Sequence, residues 1–185
     1  MTNLSKLTAT ALTIGALLFG NTVKAQMMNT PNPWRFGIGV EGGIPTGELR
    51  NLSNYEIGGT ARLQYDVSGS FAVTATSGYY DIIAKNSTVG TTTIGNATYA
   101  TTPHSFGMIP VKFGVKAFFA NSLYVSGETG VGFETEYSTN TKLILSPGIG
   151  WASKSVDVGV RYENFYGQNS NYGLFGLRIA YGFGL

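Results

Sequence analysis

The last eleven residues, Phe175-Gly-Leu-Arg-Ile-Ala-Tyr-Gly-Phe-Gly-Leu185, alternate without interruption. Phe175, Leu177, Ile179, Tyr181, Phe183 and Leu185 are apolar, and the residues between them are small or charged. A period of two puts the two sets on opposite faces of a β-strand. The same rhythm, bounded by turn residues, predicts eight strands near 34–44, 55–67, 71–80, 105–118, 123–134, 143–152, 155–164 and 173–185. Short turns at 68–70, 120–122 and 153–155 alternate with longer links over 45–54, 81–104, 135–142 and 165–172. An antiparallel up-and-down barrel has turns at one end and loops at the other. A Greek-key sandwich would not be expected to keep that order. The fold class expected is therefore all-β, an eight-stranded antiparallel up-and-down transmembrane β-barrel.

One parity is apolar throughout. It holds Trp34, Phe36, Ile38 and Val40 in the first strand, Leu63, Tyr65 and Val67 in the second, and Ile109, Val111, Phe113 and Val115 in the fourth. Val156, Val158, Val160 and Tyr162 continue it in the seventh, and no charge is expected on this face. Lipid requires that segregation, because Arg or Lys at the bilayer midplane costs roughly 2–4 kcal/mol. Trp34 begins the first strand and Trp151 ends the sixth, so both fall at the turn end, where Phe71, Phe119, Tyr124 and Phe183 are expected to join them. Tyr55, Tyr79, Phe106, Phe133, Tyr172 and Phe175 are expected at the loop end. Two aromatic girdles at the headgroup levels follow, represented by Trp34, Trp151 and Phe183 at one level and Tyr79 and Phe133 at the other.

The opposite parity carries Arg35, Arg62, Lys112, Lys116, Arg161 and Arg178 with Glu41, Asp66, Glu128, Glu134, Asp157 and Glu163, six charges of each sign. An eight-stranded barrel has an interior just wide enough for side chains to fill. Equal and opposite charges there permit a closed ion-pair network, whereas isolated ones would be costly. Glu128 lies mid-strand opposite the Lys112–Lys116 stretch, with Arg62, Arg161 and Arg178 at similar height. It is expected to be the central anion of a basic cluster that also includes Glu163. Such a cluster serves as a polar plug that holds the barrel's shape, or as a gate in a narrow pathway.

Met1–Lys6 is basic, Leu7–Phe19 is an apolar run of thirteen residues, and Val23-Lys-Ala25 offers small residues for cleavage. This is the layout of a secretory signal peptide, and the run falls short of the about 20 residues needed to span a bilayer. The expected division is a signal peptide over 1–25, a short lead over 26–33 and a barrel over 34–185. Export removes Lys6 and Lys24, leaving ten basic and ten acidic residues. With no basic stripe, nucleic acid is not an expected partner. Cysteine is absent and His104 is the sole histidine, so no thiolate or imidazole cluster is available for a metal, and no cofactor is expected.

The final strand resembles the C-terminal recognition signal of bacterial outer-membrane barrels, polar-x-Gly-x-x-aromatic-x-hydrophobic. Arg178, Tyr181, Phe183 and Leu185 carry the match, with Ala180 where glycine is usual and Leu185 where phenylalanine is commonest. Over residues 34–185 the chain resembles the small eight-stranded outer-membrane barrel family, the type of OmpX and of the OmpA membrane domain. That resemblance implies a monomer in the Gram-negative outer membrane. Its partners would be outer-membrane lipid, lipopolysaccharide and the barrel-assembly machinery. It implies a non-enzymatic structural or surface-interaction role, with a narrow porin-like barrel for small or hydrophobic solutes as the alternative. The peptidoglycan-binding activity of OmpA-type proteins is not expected, since the match stops at the eighth strand.

Gly37-Ile-Gly-Val-Glu-Gly42 satisfies G-x-G-x-x-G in letters only, because it lies inside a strand rather than opening a helix. His104 and Ser105 are adjacent, so in a strand they point to opposite faces and do not form the paired site of barrel lipid-A deacylases. Residues 81–104 are rich in Thr, Ser, Asn and Gly, a length and composition that often carry function. A surface ligand or host partner is expected there, with 91–94 and 97–100 forming a hairpin. Pro147 on the outward face predicts a local bulge.

Overall fold

Strands persist where neighbouring backbones keep exchanging hydrogen bonds, and here they continue past the last alternating residue. The computed structural model describes residues 32–85, 90–94, 97–101, 104–120, 122–135, 140–167 and 171–185. The expected signal peptide and most of the lead lie outside the described residues. In order come β1 (Trp34–Gly47), α1 (Leu49–Leu52), β2 (Ser53–Ser68), β3 (Phe71–Ala84), β4 (Gly90–Ile94) and β5 (Ala97–Thr101). Then follow β6 (Phe106–Ala120), β7 (Leu123–Thr135), β8 (Thr141–Ala152), β9 (Val156–Gly167) and β10 (Tyr172–Gly184). β1–β3 and β6–β10 close into an antiparallel eight-stranded barrel in up-and-down order, with β10 pairing back onto β1. β4 and β5 pair only with each other, as a separate two-stranded sheet.

At the loop end the barrel strands run several residues beyond the alternating segments. β1 reaches Gly47, β3 reaches Ala84 and β9 reaches Gly167. Alternation marks only the stretch that must be apolar on one face; backbone pairing has no such limit. The loop expected over 45–54 shrinks accordingly to α1 with Glu48, and over 135–142 β7 reaches Thr135 while β8 already begins at Thr141.

Following the register from Phe36 through Leu63, Ala75, Phe113, Thr129, Leu145, Asn164 and Gly173 returns to β1 at Thr46, ten residues further on. A stagger of that size on eight strands tilts them by about 40° to the barrel axis. The bulge expected at Pro147 does not occur. The β8–β9 ladder skips Ser146 and Pro147 and resumes at Gly148↔Arg161 in the same register as Leu145↔Asn164. A missing N–H removes a rung without inserting a residue.

The exterior is apolar. Ile38, Val40, Phe113, Ile149, Phe175 and Ile179 are all exposed on it. Asp81 is the one charged residue of outward parity in the described barrel strands, and it sits beyond Tyr79 towards the loop end. The expectation that this face carries no charge fails there, because β3 is longer than its alternating segment. Trp34 packs against Tyr65 in a tilted pair with ring centroids 4.8 Å apart, and Phe36 meets Phe183 at 5.7 Å across β1–β10.

Candidate functional site

Inward parity brings charged residues of seven strands into one lumen. Glu41 (β1), Arg62 (β2), Lys112 and Lys116 (β6), Glu128 and Glu134 (β7), Arg161 and Glu163 (β9) and Arg178 (β10) are all buried, as is Lys142 of β8. Seven of them form a continuous chain of alternating sign across the barrel. Arg62 pairs with Glu128, which lies 3.5 Å from Lys112. Lys112 pairs with Glu163, which lies 2.8 Å from Arg161 Nε. Arg161 pairs with Glu41, and Glu41 lies 3.3 Å from Arg178 Nε.

Glu128 is therefore one link in the chain rather than its centre. It holds Arg62 and Lys112, while Arg161 and Arg178 gather on Glu41 and Lys116 pairs with Asp157. The reason is geometric. Stagger spreads residues that are level in the sequence drawing along the barrel axis, so each cation meets the nearest carboxylate on a neighbouring or facing strand.

Hydroxyl groups complete the chain. Arg62 Nε donates to Thr76 Oγ1 at 2.9 Å, and Thr60 donates to Glu41 at 2.7 Å while accepting from Arg178 Nε at 3.0 Å. The Tyr80 hydroxyl accepts from both Lys112 Nζ and Arg161 Nη2 at 2.9 Å. Burying one ion costs several kcal/mol even after relaxation, and only this density of partners offsets it. Glu128 Oε2 and Glu163 Oε2 nonetheless find no hydrogen-bond donor among the described residues.

Above the ion-pair chain, at the loop end, an apolar cluster packs in the lumen beside the buried Glu56, Glu134 and Lys142. Tyr80, Ile82, Met108, Ile144, Phe165, Tyr172 and Leu174 pack into one buried cluster, with Leu49 of α1 set into it from above. Lys85 Nζ donates to the Arg50 carbonyl at 2.6 Å and fastens α1 to the end of β3. Tyr172 stacks on Phe165 at 5.0 Å, donates to Glu134 at 2.7 Å and meets Phe106 edge-on. At the turn end a smaller cluster joins Ala72, Phe118 and Tyr124. There Tyr124 donates to Asp157 at 2.6 Å, and Lys116 Nζ lies 4.2 Å above its ring.

Three aromatics assigned to the girdles thus lie inside. Phe106, Tyr124 and Tyr172 have inward parity, and level along the barrel does not override the pleat. Trp34, Trp151, Phe183, Tyr79 and Phe133 are exposed on the outer wall. Of the residues matching the C-terminal signal, Tyr181, Phe183 and Leu185 are exposed and Arg178 is buried in the lumen. Sequence reasoning passed over Glu56 and Lys142, both buried, and the whole apolar cap. Parity marks those that lie on strands, near or beyond the edges of the alternating segments, but not Leu49, which lies on α1. His104 is exposed, and Ser105 Oγ accepts from the Ala84 N–H at 3.0 Å. Among the described residues no cluster of three His, Cys, Asp or Glu is placed to hold a metal.

No family model matches the sequence, and no curated protein matches it either. Solved structures do. One is Ail, the attachment invasion locus protein of Yersinia pestis, at a TM-score of 0.58 and 13% identity over 82% of this chain and 99% of that one. A second structure of Ail, in complex with the heparin analogue sucrose octasulfate, matches at 0.51 and 12% identity over 81% and 97%. The N-terminal β-barrel domain of Pseudomonas aeruginosa OprF matches at 0.50 and 11% identity over 80% and 97%. The fold is that of the small eight-stranded outer-membrane β-barrels. In such a barrel the exposed apolar wall faces lipid, and the lumen just described is the space through which anything crossing would have to pass.

Proposed function

We propose that the chain is an integral outer-membrane barrel, exported by a cleaved signal peptide, whose filled lumen makes it a rigid non-enzymatic anchor for a surface-exposed hairpin. The observation that carries this reading is the double obstruction of the lumen: a chain of seven paired charges, capped by eight packed apolar side chains. In the same reading Trp34, Trp151, Phe183, Tyr79 and Phe133 anchor the wall at the headgroup levels, and Arg178, Tyr181, Phe183 and Leu185 serve barrel assembly. Residues 81–104, with the β4–β5 hairpin, present the ligand-binding surface, and the barrel acts as a monomer among lipid and lipopolysaccharide. Ail was crystallised with a sulfated sugar, so sucrose octasulfate is a first probe for that surface. Replacing residues 86–103 with a short Gly-Ser link is expected to abolish any binding of it.

A second reading, a narrow pore gated by the ion pairs, is favoured by the carboxylate oxygens of Glu128 and Glu163 that accept no hydrogen bond among the described residues, since a partly satisfied buried network loses less on rearrangement than a complete one. Planar-bilayer recording separates the two. The anchor reading expects no stepwise conductance from the wild type or from Glu128→Ala. Steps in the wild type that grow in Glu128→Ala would establish the pore instead.

A further inference from the structure

Below the ion-pair chain the lumen widens, at the turn end, into a cavity of about 40 Å³. Arg35, Arg62 and Arg178 line it, with Gln64 and Asp157. Three arginines thus line one cavity with one aspartate, and that aspartate's carboxylate is engaged. Asp157 pairs with Lys116 and accepts from Tyr124, so its single charge is shared among Lys116, Arg62 and Arg178 and cannot balance all of them. Gln64 donates to Asp66, the other acidic group at this end, at 2.7 Å.

The arginines are incompletely used. Arg62 is held by Glu128 and Thr76. Arg35 makes no ion pair among the described residues; its Nη2 donates to the Ser153 carbonyl at 3.1 Å and to that of Lys154. Arg178, only 3% exposed, places Nε on Thr60 and near Glu41, but its Nη2 has no acceptor among the described residues. A buried donor without an acceptor is costly, and a charged one more so. The fork of a guanidinium matches the edge of an oxyanion, and several forks around a small cavity match its remaining edges. One water needs roughly 10–15 Å³ of such volume, so the cavity accommodates a group of a few heavy atoms. The apolar cap closes the opposite end, which leaves the turn end as the way in.

We propose that this vestibule is a binding site for a small inorganic oxyanion of the phosphate type, held by Arg178, Arg35 and Arg62 and entered from the turn end of the barrel. The site is independent of whether the barrel conducts. Only Arg178 belongs to both it and the match to the assembly signal.

Calorimetric titration of inorganic phosphate into the full chain, refolded in a maltoside detergent, tests the site. A saturable single-site isotherm is expected. Arg35→Gln and Arg178→Lys should each weaken it by about tenfold or more, the scale of one charge-assisted hydrogen bond. Circular dichroism melts would confirm that both variants fold, and Arg35→Gln carries the test if Arg178→Lys does not. Lys154→Gln, exposed at the same end but outside the cavity, should change affinity less than about twofold. No saturable binding up to roughly 10 mM phosphate would overturn the proposal. So would binding indifferent to Arg35→Gln, or weakened as much by Lys154→Gln, since diffuse end charge would then account for it.

Discussion

At Gly150 an added Cβ would lie 2.4 Å from the Tyr124 ring, and at Gly159 it would lie 2.7 Å from the Tyr124 hydroxyl. The two glycines are the floor on which that ring lies inside the barrel. Gly39 does the same for Arg178, whose Cζ would be 3.1 Å from a Cβ there. Inward glycines and long inward side chains therefore come as matched sets; the sequence reading placed Arg178 inside, but assigned Tyr124 to the outer girdle. What parity could not name was which carboxylate each cation meets. Glu128 illustrates the consequence. Glu128→Gln keeps the shape but leaves Arg62 and Lys112 short of a counter-charge, so it should destabilise the barrel by about 3–5 kcal/mol in urea titrations. Arg62→Met combined with Glu128→Leu removes both ends of the first pair and should cost less than Glu128→Gln alone. A double variant worse than the single one would show that the pair contributes net stability.

Elements were legible where both faces had to obey a rule. In β10 every outward residue from Phe175 to Phe183 is apolar and exposed, and the strand lies where alternation put it. β3 was legible only to Tyr80. Past that point Asp81 breaks the outward pattern, yet pairing continues to Ile82↔Phe106 on β6. β4 and β5 are joined to each other but to no barrel strand, so the ladder that closes the wall does not depend on them. Replacing residues 86–103 with a Gly-Ser link should therefore leave the unfolding free energy within about 0.5 kcal/mol of wild type, apart from a small gain for the shorter loop. A large loss in thermal or urea unfolding would mean that the hairpin braces the barrel.

For the whole molecule the decisive choice is which face meets lipid. Val40 is exposed on the outer wall, and its ladder neighbours are Ile179 and Gly59. Val40→Arg should destabilise the barrel in lipid vesicles by about 2–4 kcal/mol, the depth-dependent cost of a cation in hydrocarbon. The same change should be close to neutral if the wall faced water. Refolding yields into vesicles across a urea series measure it, and an unaffected Val40→Arg barrel would remove the membrane reading. The sealed loop end and the open vestibule at the turn end also belong to this scale. Neither is visible in any single strand.

Alternation, turn spacing and the sign of inward residues determine an antiparallel eight-stranded barrel with an oily wall and a charged axis. They do so because a pleated strand offers only two faces and every backbone group in lipid needs a partner. The ten-residue stagger decides the rest. By sliding strands along the axis it chooses which charges touch, lifts Tyr172, Phe165 and Leu174 into an apolar lid, and leaves Arg178 facing a cavity. Stagger is a property of ring closure, and a chain read one strand at a time carries no measure of it.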